Sequence, residues 1–524
     1  MKKDKKEILY KNNAYKKILS GTNKVLEAIT PSFGPLGSLV AIEKGKDRSP
    51  QLTNDGITIA KSIDLNCPFE NMACQILKDI GDKVNEDVGD GTTSAMILSG
   101  EIFKNGIKAV VSADIDRNVI IKGLEKGFDI LFSSLEKYRR DLYFEDIDKV
   151  AFASSRSDEI SLLIKKAYEK IGAKGLITPD VSNSAESGLE IKSGAEYEIK
   201  NESIYLLDKE NESVLHNPYI LVTNINIDNI RKLVPILTKI KETGRRALII
   251  SQGCSQEVLG VLVANKQQGG IRVSTCKMNV AVPDRELSDV SVLVGAKFLD
   301  NVLDINFRDL ELSDLGSAEK IILKKDKLII INGKSNKEEL EQKIHDLNKS
   351  INDAPSSFDK EKLSERLSRL TGGTAVIRLG AHTESELKEK KMRLEDALSA
   401  TQSALVGGVV KGGCSIYLSL LRDLEAKRDN FTIDERLSYN IIVDSLKNLY
   451  ISLMNNSSLN GDIMLYKAME MDENLVYDII SNKFVDFEKE GMVESYLCIK
   501  SILQRSKSIV KALINSDVLV AIKK

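Results

Sequence analysis

The sequence predicts a mainly helical protein with an α/β portion set into its middle. Apolar residues recur three and four apart at Met72, Ile76, Leu77, Ile80 and Val84, the pattern of an amphipathic helix, and a second apolar run follows at Ala95–Leu98 and Ile102. Between Tyr219 and Val294, short strand-like runs alternate with helical patterns, the grammar of a layered α/β module. Glycine pairs at Gly372-Gly373, Gly407-Gly408 and Gly412-Gly413 mark expected hinges, since glycine absorbs large dihedral changes.

Residues 8–30 read as a helix, with Tyr15, Ile18, Leu19, Val25, Leu26 and Ile29 mostly three or four apart, ended by the Gly/Pro stretch Thr30–Gly37. Leu39–Ile42 reads as a short strand. Thr53-Asn54-Asp55-Gly56 is a turn signal between Leu52 and Ile57–Ile59, fitting a hairpin or a tight loop. The central helix pair follows, then helices to about 135. Beyond about 140 a helix is expected near Ile160–Ile171, a strand at Gly175–Thr178 and another at Leu189–Lys192 that ends at Gly194. Tyr219–Thr223, Ala247–Ser251 and Val290–Val294 read as strands, and Ile230–Thr243 and Gln256–Gln267 as helices. Glu338–Leu370 reads as a helical hairpin broken at Ala354–Ser357, with Asp359 and Glu361 favouring the second helix start. A strand at Thr374–Leu379, a charged helix at Glu384–Leu405 and a mostly helical remainder complete the chain.

Composition narrows the function. The chain has 524 residues, enough for roughly two to four domains. It is 42% hydrophobic but lacks tryptophan and is 5% aromatic, so aliphatic packing dominates its core. A net charge of −2 argues against nucleic acid as a partner, because a basic excess is missing. The six cysteines are scattered with no CxxC pair, and His216, His345 and His382 are equally dispersed. That disfavours a zinc site or a Cys–His nucleophile and fits free thiols in a reducing compartment, with the cytoplasm as the expected location. The charged start MKKDKKEIL has no apolar stretch after it, so no secretory signal is expected. No apolar run approaches the ~18 residues of a membrane span.

The chemistry concentrates in Val84–Ser99. Gly89-Asp90-Gly91 breaks the first helix, and Thr92-Thr93-Ser94 opens the next. A helix start offers unpaired N–H groups and partial positive charge to a phosphate. The two glycines allow close backbone approach, Asp90 offers a hard oxygen to Mg²⁺, and the three hydroxyls can bond phosphate or cap the helix. The same residues also read as an ordinary turn and N-cap. A Walker A loop is ruled out, because Leu328 stands where the leading glycine before Gly333-Lys334-Ser335 belongs, and no GxGxxG occurs.

Thr53–Ala60 (TNDGITIA), Phe69–Met72 (FENM) and Gly89–Ser94 (GDGTTS) together resemble a bacterial-type, group I 60-kDa chaperonin subunit. The resemblance continues through Asn229–Leu237, Leu370–Val376, Lys388–Thr401 and Gly407–Gly413, and weakens near the C-terminus. It implies a chaperonin fold in three domains. These are an equatorial domain (1–138 and 408–524), an intermediate one (139–193 and 373–407) and an apical one (194–372). It implies an ATPase that assists non-native protein clients inside a homo-heptameric ring, single or stacked in two, closed by a co-chaperonin lid. The implied cofactors are ATP and Mg²⁺, with K⁺ as a further ion.

Residue by residue, the resemblance implies ATP contacts at Ser32, Phe33, Gly34, Pro35, Asn54, Asp90, Gly91, Thr92, Thr93, Ser94, Gly413, Asp478, Ile479, Ile480 and Glu494. Asp90 is the implied Mg²⁺ ligand, Asp55 lies near the γ-phosphate, and Asp396 orients the attacking water. Client and lid contacts are implied at Tyr205, Leu206, Val234, Leu237, Leu259, Val263 and Ala264. The chain also departs from the family. Leu36 and Asn54 replace lysines, Cys414 replaces a glycine, and Ile479 and Ile480 replace small residues. Glu494 is one methylene longer than the usual Asp, and Asn201 replaces an aromatic. Asn279–Asp284 replaces a glycine-rich segment, and the end at Lys524 lacks a Gly-Met tail. These departures leave a second expectation: a divergent paralogue with weak or no ATPase, acting as a passive binder or regulator.

Overall fold

The computed structural model describes residues 6–45, 50–113, 116–173, 175–182, 184–208, 212–279, 283–300, 307–354 and 356–522. The expectations that fall on Val280–Val282, Pro355 and Lys523-Lys524 lie outside these residues. Two units form: one gathers 1–165 and 383–524, so both chain ends share it, and the other is continuous over 166–382.

The first unit opens with β1 (Lys6–Tyr10) and α1 (Lys11–Ile29). The expected helix thus starts at Lys11 rather than residue 8, because Ile8 and Tyr10 pair with Val520 and Val518 at the other end of the chain. β2 (Val40–Ile42) pairs with β3 (Gln51–Thr53). The turn signal at 53–56 therefore closes no hairpin onto Ile57–Ile59, which lie in α2 (Gly56–Ser62). The Asp55 carboxylate accepts from Thr58 N at 3.0 Å, and its own N–H donates to Thr53 Oγ1 at 3.1 Å. Asp-Gly here is a helix cap, which the same letters also encode. α3 (Pro68–Val88) and α4 (Thr92–Ala113) form the central pair, followed by α5 (Arg117–Tyr138), α6 (Ile147–Ser155) and α7 (Asp158–Ile171), whose last residues, from 166 on, belong to the second unit. The Phe-Glu-Asn-Met motif serves the fold. Phe69 is core, buried Glu70 accepts from Lys17 and Lys24, and Asn71 Oδ1 accepts from Leu65 N at 3.1 Å.

The second unit contains β4 (Leu176–Val181), β5 (Gly188–Asn201), β6 (Ser213–His216), β7 (Tyr219–Val222), β8 (Asn226–Ile227), α8 (Val234–Thr243), β9 (Ala247–Ser251), β10 (Gly253–Cys254), α9 (Gln256–Gln267), β11 (Val273–Met278), α10 (Pro283–Val294), β12 (Gly316–Leu323), β13 (Lys327–Gly333), α11 (Lys337–Asn352), α12 (Ser357–Thr371) and β14 (Gly373–Leu379). Its sheet runs β11-β9-β7-β12-β13-β5-β14-β4, with β6 on β12, and β11 also pairs with the far end of β5. β5 does not end at Gly194. A Cβ there would stand 2.2 Å from Thr374 Oγ1, so this glycine lets β14 approach instead of stopping the strand. Val290–Val294 is the last turn of α10, not a strand. Leu287, Val290, Leu293 and Val294 are buried at helical spacing, and so short an apolar run cannot by itself separate a strand from a buried helix.

The chain returns through α13 (Glu384–Gly407), β15 (Val409–Lys411), α14 (Ser415–Ala426), α15 (Arg436–Asn456), α16 (Gly461–Glu470), β16 (Leu475–Asp478), β17 (Lys483–Asp486), α17 (Phe487–Glu490), β18 (Val493–Ser495), α18 (Tyr496–Ile514) and β19 (Val518–Ile522). The mostly helical remainder thus also holds strand ladders, β15 with β18 and β16 with β17. α1, α3, α4, α5, α14, α15 and α18 supply one aliphatic core. Among the described residues no helix is long and apolar enough to cross a membrane.

Candidate functional site

Three glycines let the pieces of the site meet around the start of α4. Gly89 and Gly91 both have positive φ (69° and 77°), which glycine adopts without strain. A Cβ on Gly89 would stand 2.3 Å from Ser399, one turn beyond Asp396 in α13, and one on Gly91 would stand 2.5 Å from Cys498 Sγ in α18. A Cβ on Gly56 would stand 2.2 Å from Thr93 Oγ1, which fixes the Asp55 turn against the first turn of α4. Asp90 therefore lies among α2, α13 and the β18–α18 junction. The N–H groups of Thr92, Thr93 and Ser94 belong to the turn that no helix satisfies internally.

Four carboxylates converge electrostatically here. Burial pushes the Asp90 carboxyl above its usual range, and the Asp55 charge adds to the rise, while the Gly91 N–H (2.6 Å) and the Arg156 cation oppose it. Burial and the charges of Asp90 and Asp55 push Asp396 up to about 8. Burial and Asp90 push Glu494 to about 8 as well. Ser154 Oγ is buried without a well-formed hydrogen bond, yet it lies close enough to Asp90 to favour its charge. An orphaned hydroxyl and mutually repelling acids beside a helix start suit a cation carried in with an anion. Among the described residues no three ligand-type side chains could hold a metal ion by themselves.

The Gly-Pro loop contributes backbone more than side chains. Ser32 Oγ donates to Ile29 O at 2.7 Å, Phe33 is core, and Asn456 Nδ2 ties down the carbonyls of Thr30 and Phe33 at 2.6 and 2.8 Å. Gly34 (φ 92°) packs on Leu453, and the Pro35 carbonyl faces Arg156 Nη1 at 3.5 Å. Leu36 is exposed and Asn54 half-buried. On the other side, a Cβ on Gly413 would stand 3.8 Å from Tyr477 O, so the β16–β17 turn is close by. Asp478 spends both its oxygens in that turn, accepting from Ile480 N at 2.9 Å and Ser481 N at 3.2 Å. Ile479 packs on the core, while Ile480 is exposed. Cys414 is buried in a left-handed conformation (φ 60°) as the residue before α14. Arg156 and Ser154 act on Asp90 electrostatically, and the sequence reading did not single them out, since nothing in Ser-Ser-Arg-Ser marks a loop that folds back on Asp90.

Residues 25–524 match the TCP-1/cpn60 chaperonin family. The chain is a member of the TCP-1/cpn60 chaperonin family. Its motifs are those of the group I type, in divergent form. Among solved structures this chaperonin is similar to the chaperonin gp146 of bacteriophage EL 2 (Pseudomonas aeruginosa), crystallised in the presence of ATP-BeFx. One crystal form matches at TM-score 0.68 and 19% identity, and the other at 0.65 and 18%, each over 99% of both chains. At that identity the likeness establishes the shared fold, and family membership supports a chaperone role.

In the second unit of this chaperonin, the residues expected to meet clients divide in two. Leu206, Leu237 and Leu259 are buried in one apolar cluster with Val263 packed against it. Tyr205 (69% exposed) and Val234 (50%) face solvent, as does Ala264. Ile204 and Val261 are exposed apolar neighbours that the sequence reading did not single out.

Proposed function

We propose that this protein is an ATP-dependent chaperone subunit that works in a ring and acts on non-native proteins. The observation that carries the reading is the convergence of Asp55, Asp90, Asp396 and Glu494 on the first turn of α4. Nucleotide-bound Mg²⁺ spreads phosphate charge. Asp90 would hold that ion, and the N–H groups of Thr92–Ser94 would hold phosphate oxygens. Asp55, fixed as the cap of α2, would border the terminal phosphate. Asp396 would position water for in-line attack once the incoming cation favours its ionised form. Gly34, Pro35, Gly413 and the Asp478–Ile480 turn would border the rest of the nucleotide. Tyr205, Val234, Val263 and Ala264 would offer the apolar rim to clients and to any lid. The equatorial, intermediate and apical division, the heptameric ring, the Mg²⁺ and K⁺ dependence and the cytoplasmic setting belong to the same proposal.

Steady-state ATP hydrolysis with Mg²⁺ and K⁺ tests it, beside Asp396→Ala and a measurement of particle mass. Turnover lost in the variant, on a particle several subunits in size, is the expected result. A second reading, a passive chaperonin-fold binder, is favoured by Cys414, whose buried side chain fills space beside Gly413. Turnover no higher than that of Asp396→Ala would select it.

A further inference from the structure

We propose that Arg156 is the cation that meets the terminal phosphates in this chain, taking the place of the positive charge that Leu36 and Asn54 do not supply. The inference rests on the nucleotide reading above and adds a residue to it.

Three observations converge on this arginine. The first is its backbone. Arg156 ends α6 in a left-handed conformation (φ 54°), uncommon for a long side chain. The turn is pinned on both sides. Ser155 Oγ donates to Ala151 O at 2.7 Å and accepts from Ser157 N at 3.3 Å, while Ser157 Oγ accepts from Ile160 N at 3.3 Å at the start of α7. The side chain is therefore aimed by a fixed junction between two helices.

The second observation is where it points. Nη1 stands 3.5 Å from the carbonyl of Pro35, in the loop that borders the site, and the charge of Arg156 is felt at Asp90. It makes no ion pair among the described residues, while Arg393, the like charge that acts on it, is paired with Glu389 at 2.6 Å. Burial and the Arg393 charge pull the pKa of Arg156 down and Asp90 pulls it up, while part of its surface stays in solvent, and a single long contact to a carbonyl is easily exchanged. A phosphate would offer the guanidinium two parallel charge-assisted bonds in place of one weak neutral one.

The third observation is the charge balance. Asp55, Asp90, Asp396 and Glu494 act on one another electrostatically beside the start of α4, and Leu36 and Asn54 bring no charge to offset them. A Mg²⁺ on Asp90 would offset part of this repulsion, and Arg156 is a protein cation whose charge reaches Asp90. Ser154, two residues earlier, lies close enough to Asp90 to favour its charge.

The test is calorimetric titration of the full-length protein with Mg·ATP and Mg·ADP, with turnover measured in parallel, for wild type, Arg156→Asn and Arg156→Lys. Asn tolerates the left-handed backbone, so this variant removes the cation while sparing the turn. Arg156→Asn is expected to weaken ATP binding about 10- to 100-fold, the scale of charge-assisted hydrogen bonds, and ADP binding much less. Arg156→Lys is expected to fall between, since it keeps the charge and loses the fork. The ATP-to-ADP ratio separates this role from a structural one, which would weaken both alike. Wild-type binding with an unchanged ratio in both variants would overturn the role of Arg156 and leave the nucleotide reading intact. Absence of ATP binding by wild type would overturn both.

Discussion

Arg366 grips the buried carboxylate of Asp289 with two bonds, Nε to Oδ2 at 2.7 Å and Nη2 to Oδ1 at 2.8 Å. The pair ties α12 to α10, and Lys343 of α11 stands 3.5 Å from the same carboxylate. Nearby, Arg369 holds Glu286 at 2.7 Å. The Glu338–Leu370 hairpin is thus held to the second unit by buried charge as well as by its apolar stripe.

Removing one partner leaves the other charge buried. Arg366→Met should destabilise the second unit by about 3–5 kcal/mol, toward the lower end because Lys343 remains. Arg366→Met with Asp289→Leu should recover most of that loss, because an apolar pair has no charge to desolvate. Urea unfolding followed by a probe in α12 measures both. A cost below ~1 kcal/mol for the single variant would contradict the clamp.

Asp396 makes stability depend on pH in the unusual direction for an acid. Its carboxyl titrates near 8 in the folded chain against 3.8 ordinarily, so the folded state binds the proton more tightly. Its contribution to stability is full at low pH and is lost as pH rises from about 4 to about 8. Asp396→Asn should therefore raise the thermal midpoint of the first unit, with a gain that grows between pH 5 and pH 8 and levels off above. The same variant should abolish ATP turnover. Calorimetry without nucleotide checks the first outcome, and Mg²⁺-nucleotide should narrow the gap between the two proteins.

The chain ends are clasped through Asp517. Tyr15 OH donates to Oδ1, Arg117 pairs with Oδ2, and Lys11 N donates to the Asp517 carbonyl at 2.7 Å. The Tyr15 hydrogen bond, with the Arg117 cation, holds the Asp517 carboxyl below its usual value. This contribution is present above about pH 4 and is lost as pH falls through the lowered value. Asp517→Ala should speed amide exchange in β1 and β19 about fivefold, the effect of ~1 kcal/mol for a lost hydrogen bond. Exchange at Ile8 and Val520 gives the readout.

Exposed and buried members of the apolar rim should behave differently. Tyr205→Asp should reduce capture of a denatured protein and leave ATP turnover unchanged. Leu237→Ala and Leu259→Ala should instead lower stability by about 2–5 kcal/mol, since both are core. Suppression of client aggregation, read beside thermal midpoints, separates the two effects.

The sequence by itself determined the long helices, the strands β4, β7, β9 and β14 with the first part of β5, and the Asp90 turn, because periodicity and glycine placement are local signals. It also determined the family, since its motifs recur in order along most of the chain. Only the tertiary structure decided that residues 6–10 form a strand, because their partner lies at 518–522 and nothing local announces it. It also decided that Val290–Val294 is helical, where a short apolar run fits either state until its neighbours are known. The acids were legible as letters, whereas their raised pKa values follow from burial and mutual repulsion that exist only once α2, α4 and α13 meet. Arg156 was invisible for the same reason: a charge acquires a role from what it faces, and Pro35 and Asp90 come to face it only through folding.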